Sequence, residues 1–430
     1  MSTNFCATST EQPGLKTLFT KLSPQHAALL LLAASFALSH RNCLTDMHVS
    51  VANARQFSDA TRSGSKGDRS ALGGTLCCVV DQEETAQEVD NELPLEDGSL
   101  LIPVQSWPQR PGPRFAKISV HFPNGACANV NEHTGIMLTL HNWGGEDCAG
   151  TADPKVLADQ LNVVAVCVNY LQSGKTDSID SSEPYDCGYL QALDALRALA
   201  YVRTGLRQRS VRYDDGRIFC TGGSGGGNVT LMARKFAPRT FACVIDICGM
   251  KKLSDDIAFD LPGGSDLNAR WSRDPKNINY LSPDDQSIRF VGNPEHLARM
   301  KSLSASGKII IVHGRDDTTC PFADAEELVT NLQAANLDVE ARFIGQADLD
   351  GKVFTGSGHA LGNRTEIVLQ VAGKYLKQNG AHPLRRNGLS DFDLRDEIIY
   401  PTQNGRFVIS YAAEYPVARF IPKNSEPQNQ

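Results

Sequence analysis

The feature that most constrains the fold is an alternation of two kinds of segment. NVVAVCVNY (162–170), RIFCT (217–221), FACVIDICG (241–249), KIIIVHG (308–314) and VEARFIG (339–345) are short apolar runs rich in β-branched residues. Unbroken runs of this kind suit strands buried on both faces. Between and after them stand DCGYLQALDALRALAYVR (186–203), NVTLMARKFA (228–237), PFADAEELVTNLQAA (321–335) and TEIVLQVAGKYLKQ (365–378), which carry apolar residues at helical spacing. Repeated strand then helix with short connections predicts a mostly parallel sheet covered by helices on both faces. SLLIPVQSW, AKISVHF and GIMLTLHNW, from Ser99 onward, predict an antiparallel entry followed by a buried strand.

Within this pattern one turn carries chemistry. CTGGSGGGN (220–228) lies between a predicted strand and a predicted helix, which excludes a flexible linker. A phosphate-binding P-loop needs Lys and then Ser or Thr after the last glycine, where Asn228 and Val229 stand. A dinucleotide fingerprint started at Gly223 or Gly225 meets Asn228 or Thr230 in place of its third glycine. The pattern that fits is GxSxG, with Gly222, Ser224 and Gly226. It presents a serine on a strained strand-to-helix corner, with the Gly225 N–H and the helix N-terminus facing a developing oxyanion. Gly223 and Gly227 receive no duty, so alanine there is expected to do less damage than at Gly222 or Gly226.

A serine needs a histidine to take its proton and a carboxylate to hold that histidine. After Ser224 the histidines are His296, His313, His359 and His382. His359, in TGSGHAL after a glycine-rich loop and before the last long helix, is the candidate base. The acid lies in HGRDDTTCP (313–321), which offers Asp317 and its neighbour Asp316. Here the chain resembles the prolyl-oligopeptidase-like and dienelactone-hydrolase-like branches of the α/β-hydrolase superfamily, whose strand is followed by HGxxDxxVP. His313, Gly314, Asp317 and Pro321 match, and Cys320 replaces valine. The resemblance implies Asp317 as the triad acid, with Asp316 as the alternative. LTLHNWGGEDC (138–148) resembles the oxyanion loop of the superfamily, departing from it at Asn142 and Trp143. It implies that the backbone N–H of Asn142 or Trp143 joins Gly225 in the oxyanion hole, with Trp143 as a pocket wall or a core residue. The combination of HNWGG, YDCGYLQALDALRAL and GGSGGGN also resembles a bacterial hydrolase-like family of unknown function.

The expected architecture is therefore an α/β-hydrolase fold over 96–380, with a cap-like insertion at 250–307 and a C-terminal extension at 381–430. Within the insertion Arg270, Trp271, Arg273 and Tyr280 are candidate substrate contacts or packing residues. In the extension, Asn404-Gly405 between apolar alternations predicts a hairpin. Residues 46–95, rich in Ser, Gly, Asp and Glu, read as a linker. Ala27–Leu38, inside the segment 26–40 of a 1–45 leader, is too short for a comfortable bilayer span and resembles the apolar region of a signal peptide. That points to a secreted or periplasmic protein, the alternative being a cytoplasmic one with a buried N-terminal helix.

The 42 basic and 49 acidic residues are interspersed without a basic stripe, which argues against nucleic acid as a partner. Of 12 cysteines, Cys167, Cys220, Cys243 and Cys248 lie in strand-like runs and read as small core hydrophobes. No cysteine or histidine cluster has zinc spacing, and no cofactor or metal is expected. The expected activity is acyl transfer to water by Ser224, Asp317 and His359. Only about a hundred residues precede the first strand, too few for a peptide-gating propeller, so a carboxylic ester is the expected substrate. A peptide substrate, or a non-catalytic binding protein on the same fold, are the alternatives.

Overall fold

The computed structural model describes residues 92–262 and 264–423. The apolar segment 26–40 and the linker up to residue 91 lie outside them, as do Cys6, Cys43, Cys77 and Cys78. Among the described residues no helix is long and apolar enough to cross a membrane.

Eight strands build the main sheet: β1 (Gly98–Val104), β2 (Arg114–His121), β3 (Gly135–Leu140), β4 (Val163–Asn169), β5 (Ile218–Gly223), β6 (Cys243–Ile247), β7 (Lys308–Gly314) and β8 (Val339–Ile344). Their order is β1-β2-β4-β3-β5-β6-β7-β8. The β1–β2 and β2–β4 pairs are antiparallel and the rest are parallel, as the apolar runs imply. The helices that pack on the sheet are α1 (Pro154–Leu161), α2 (Tyr189–Gln208), α3 (Gly225–Phe236), α4 (Phe322–Ala334) and α5 (Arg364–Ile367), the last continuing through a π turn into Gly373–Leu376.

The strand period of two divides the core between the two faces. Ile136, Leu138 and Leu140 of β3, with Val164, Val166 and Val168 of β4, pack with Leu193, Leu196, Val229 and Met232 of α2 and α3. Met137, Val163 and Ala165 face the other way, toward Leu157 and Leu161 of α1 and Ile367 of α5. Both faces are covered, so the central strands β3, β5 and β6 are buried along their whole length and mostly apolar, with Thr139, Thr221 and Asp246 as the polar exceptions.

Two features depart from the sequence expectation. Cys167 is not a free core thiol: it forms a disulfide with Cys148, which ties the loop after β3 to strand β4. Spacing gives no hint of this, because the pair meets only when β3 and β4 lie side by side. In the C-terminal extension, β9 (Glu397–Pro401), β10 (Gly405–Ser410) and β11 (Val417–Pro422) form an antiparallel sheet, one strand more than the hairpin predicted around Asn404-Gly405. Its Tyr400, Phe407 and Tyr411 are buried in the main core, and the Tyr411 hydroxyl donates to the Phe236 carbonyl at 3.1 Å. The sheet thus seals the C-terminal end of α3.

The insertion 250–307 holds short helices at Asp255–Phe259, Pro283–Ile288 and Pro294–Ser302. Arg270 donates to the carbonyls of Ser178 (2.6 Å) and Glu183 (3.1 Å), and Trp271 Nε1 to that of Tyr185 (3.0 Å). These two therefore clamp the insertion onto the loop after β4. Arg273 forms an exposed ion pair with Asp255, and Tyr280 lines a cavity of about 410 Å³ with Trp107, Tyr189 and Trp271.

Candidate active site

The corner between β5 and α3 puts Ser224 at φ 55° and ψ −122°, a conformation rare for a residue with a side chain. Neighbouring strands enforce it. The Ser224 N–H donates to the Ile247 carbonyl at the end of β6 (2.9 Å). A Cβ at Gly226 would collide with the carbonyls of Leu140 and His141, and one at Gly222 with the backbone of Gly226. The strained serine is the consequence of packing this close.

Around Ser224 the structure brings together residues from three loops. His359 Nε2 lies 2.8 Å from Ser224 Oγ, and His359 Nδ1 lies 2.9 Å from Asp317 Oδ2. With Nδ1 donating to the carboxylate, Nε2 is left to accept from the hydroxyl. Asp317 also accepts from the Cys320 N–H at 2.9 Å through its other oxygen. Burial pushes the Asp317 carboxyl pKa up, yet the hydrogen bond and charge of His359 and the Cys320 N–H outweigh it and hold it below the usual range.

Asp316 points to different partners. Its N–H donates to the Ser357 carbonyl at 2.9 Å, and its carboxylate accepts from Ser357 Oγ and from Gln346 Nε2 at 3.2 Å. It braces the foot of the His359 loop. Of the other histidines, His313 donates Nε2 to the Cys320 carbonyl at 2.8 Å and lies 3.3 Å from Asp317 Oδ2, while His296 Nε2 donates to the Pro401 carbonyl at 2.9 Å and the His382 ring lies beside Tyr375.

The loop after β3 faces the elbow. A Cβ on Gly225 would lie 2.6 Å from the Trp143 nitrogen, so the Trp143 amide sits against the amide-bearing first turn of α3. The Asn142 carbonyl is held by the Gly145 N–H (2.8 Å) and by His141 Nδ1 (2.8 Å). The Trp143 ring stacks on Tyr185 at 3.8 Å between centroids and donates Nε1 to the Ser178 carbonyl at 3.2 Å. It is thus a partly buried wall shared with the loop after β4.

His141 is buried, stacked on Tyr170 with centroids 4.0 Å apart, and burial pushes its pKa down to about 4 from an ordinary 6.5. Its folded pKa lies below its unfolded one, so the unfolded chain binds more protons between about pH 6.5 and 4, and stability falls as pH falls through that window. Between pH 7 and 5 the His141 contribution should be on the order of 2 kcal/mol. Urea unfolding at the two values should show a loss in wild type that is smaller by that amount in His141→Gln. Equal losses in both proteins would show that His141 is not held neutral.

Two glycines without a sequence-level duty have close neighbours. A Cβ at Gly227 would meet the Asp246 carboxylate and Gly249 Cα, and one at Gly223 would meet the guanidinium of Arg364. Asp246 is fully buried and paired with Lys251, itself buried. Neither this pair nor Arg364 is signalled by the sequence, where each stands outside any motif. The ligand atoms of Cys248, Asp317 and His359 lie within 4.8 Å of one another. Asp317 and His359 are hydrogen-bonded to each other and Cys248 is buried with its thiol pKa pushed up, so these donors are already engaged within the protein.

A mostly parallel sheet with a strained serine corner between a strand and a helix, and a histidine and aspartate in hydrogen-bonding line with it, is an α/β-hydrolase fold. The chain carries, over residues 195–378, a domain that matches the prolyl oligopeptidase family, a span that contains Ser224, Asp317 and His359. No curated protein matches the chain. Among solved structures it is similar to a Pyrococcus horikoshii acylaminoacyl peptidase (14% identity, TM-score 0.45, covering 66% of this chain and 42% of that one). It is also similar to Porphyromonas gingivalis dipeptidyl peptidase 4 (15%, TM-score 0.43, 65% and 35%) and to a Mycobacterium tuberculosis puromycin-hydrolyzing peptidase (15%, TM-score 0.42, 65% and 39%). The chain spans less than half the length of each of these three.

Proposed function

We propose that this protein is a serine peptidase or amidase that works through an acyl-enzyme. His359 takes the Ser224 proton as Oγ attacks the scissile carbonyl, and Asp317 fixes the tautomer and faces the imidazolium that forms. The N–H groups of Gly225 and Trp143 receive the oxyanion, Asn142 being the less apposed of the two loop candidates. His359 then protonates the leaving amine, and water, activated by the same imidazole, releases the acyl group.

The observation that carries this reading is the line from Ser224 Oγ through His359 to Asp317, at 2.8 and 2.9 Å, within the segment that matches the prolyl oligopeptidase family. That match moves the substrate expectation from an ester to a peptide or related amide. Aminoacyl p-nitroanilides and peptide substrates assayed beside p-nitrophenyl esters of graded chain length decide the point. Turnover of anilides and peptides is the expected result, and turnover of esters alone would return the reading to an esterase.

The Cys148–Cys167 disulfide supports an oxidising compartment, in line with the apolar segment at 26–40. Fractionation of the native host, with detection outside the cytoplasm, is the expected outcome; a reduced protein confined to the cytosol would contradict it.

A further inference from the structure

We propose that Arg364 is a positioning residue for oxyanion binding, holding the loop that carries the Trp143 N–H against the nucleophile corner. This rests on the serine-hydrolase reading and extends it to a residue that touches neither the triad nor the proposed donors. Arg364 opens α5, five positions after His359, and is largely buried. Its Nη1 donates to the Asn142 side-chain oxygen and to the Gly150 carbonyl at 2.6 Å. Those two acceptors lie on either side of Trp143 and Gly145, so one nitrogen closes the loop on itself. The same guanidinium occupies the space that a side chain at Gly223 would need, one residue before Ser224.

Among the described residues no carboxylate forms an ion pair with Arg364. A buried guanidinium without such a partner is costly, and burial lowers its pKa. A neutral side chain of similar volume would fill the same space, so the buried cation, which donates from Nη1 to two acceptors of one loop, needs another reason. Positioning supplies one: three loops meet at this group, and each brings one part of the reaction. The far side of the same loop is tied by the Cys148–Cys167 disulfide, and its exit by the Asp153 N–H donating to Thr365 Oγ1 at 2.9 Å. Trp143 therefore sits in a segment fixed at both ends, with Arg364 the tie nearest to Ser224. A lysine presents a point charge on a flexible stem and does not reproduce the planar guanidinium packed beside Gly223.

The test measures the rate of fluorophosphonate labelling of the full chain. Removal of one oxyanion donor costs about a hundredfold to a thousandfold in rate, and a displaced donor should cost at least about tenfold. Arg364→Ala and Arg364→Lys are expected to label at least about tenfold more slowly while keeping a native circular dichroism spectrum. With the substrate found by the panel, kcat should fall and KM stay near wild type. Guanidinium ion, well below its denaturing range, should speed labelling of Arg364→Ala and leave wild type unchanged, which a general loss of stability would not do. Asn142→Ala should slow labelling less, and combining it with Arg364→Ala should cost less than the sum of the two. Folded Arg364→Ala labelling at the wild-type rate overturns the proposal; should that variant not fold, wild-type rates in Arg364→Lys and Asn142→Ala do so. A wild-type protein that does not label at all overturns the hydrolase reading instead.

Discussion

Ser224→Ala is expected to abolish fluorophosphonate labelling and to lower kcat by about a millionfold, the scale on which a triad nucleophile acts. The folded state should survive, because the Ser224 hydroxyl is bonded to His359 and not to a structural partner, and alanine tolerates the corner at least as well as serine. The more informative comparison is between the two adjacent acids. Asp317→Asn should lower kcat by about ten-thousandfold, because an amide donating toward His359 Nδ1 selects the wrong tautomer. Asp316→Asn should stay within about fivefold, since its carboxylate braces Ser357 and Gln346 and touches no triad atom. Steady-state kinetics on the best substrate of the panel, with labelling as a second readout, separates the two. The reverse ranking would mean that the loop re-forms around Asp316 in solution and that the line drawn through Asp317 is wrong.

The second large effect belongs to the glycine corner. Gly226→Ala should lower the labelling rate by more than about a hundredfold or prevent folding, because its Cβ collides with the carbonyls of both Leu140 and His141, which β3 holds in place. Gly222→Ala should follow, colliding with the backbone of Gly226. The sequence alone separates these two from Gly223 and Gly227, but the structure divides the set differently. Gly227→Ala meets the Asp246 carboxylate and the backbone of Gly249 beneath α3, and should rank with Gly222→Ala. Gly223→Ala meets only the end of one side chain, Arg364, and should be the mildest in melting temperature. Melting temperatures and labelling rates of the four alanine variants test this ranking, and Gly226→Ala with wild-type activity would show that the corner is looser than described.

Much of this protein is written locally. The continuous apolar runs announce strands covered on both faces, and the helical spacing between them announces the covering layers, so the parallel sheet follows from periodicity alone. GxSxG between a strand and a helix marks Ser224 for a similar reason: the two glycines and the serine lie within five residues, and the steric demand that selects them is local. His359 is found by its place after a glycine-rich loop and before the last helix. These features are legible because the physics that enforces them acts over a few residues.

The remaining features depend on contacts between segments far apart in the chain. Asp316 and Asp317 are chemically the same and adjacent, and only the approach of the His359 loop makes one a partner of the imidazole and the other a brace for Ser357. Asn142 and Trp143, alike as candidates in the sequence, differ once β3 delivers its loop to Gly225, because the Trp143 nitrogen is the one that lies against it. Cys148 and Cys167 meet because β3 and β4 are neighbours, although the apolar run around Cys167 reads as plain core. Arg364 reaches Asn142 and Gly150 across more than two hundred positions of sequence. The sequence by itself determined the sheet and the serine corner between strand and helix, because periodicity and turn sterics are local. Only the tertiary structure decided which acid meets His359, which amide lies against Gly225, which cysteines pair and which buried cation reaches the loop after β3, because those contacts join segments that the fold, and not the chain, brings together.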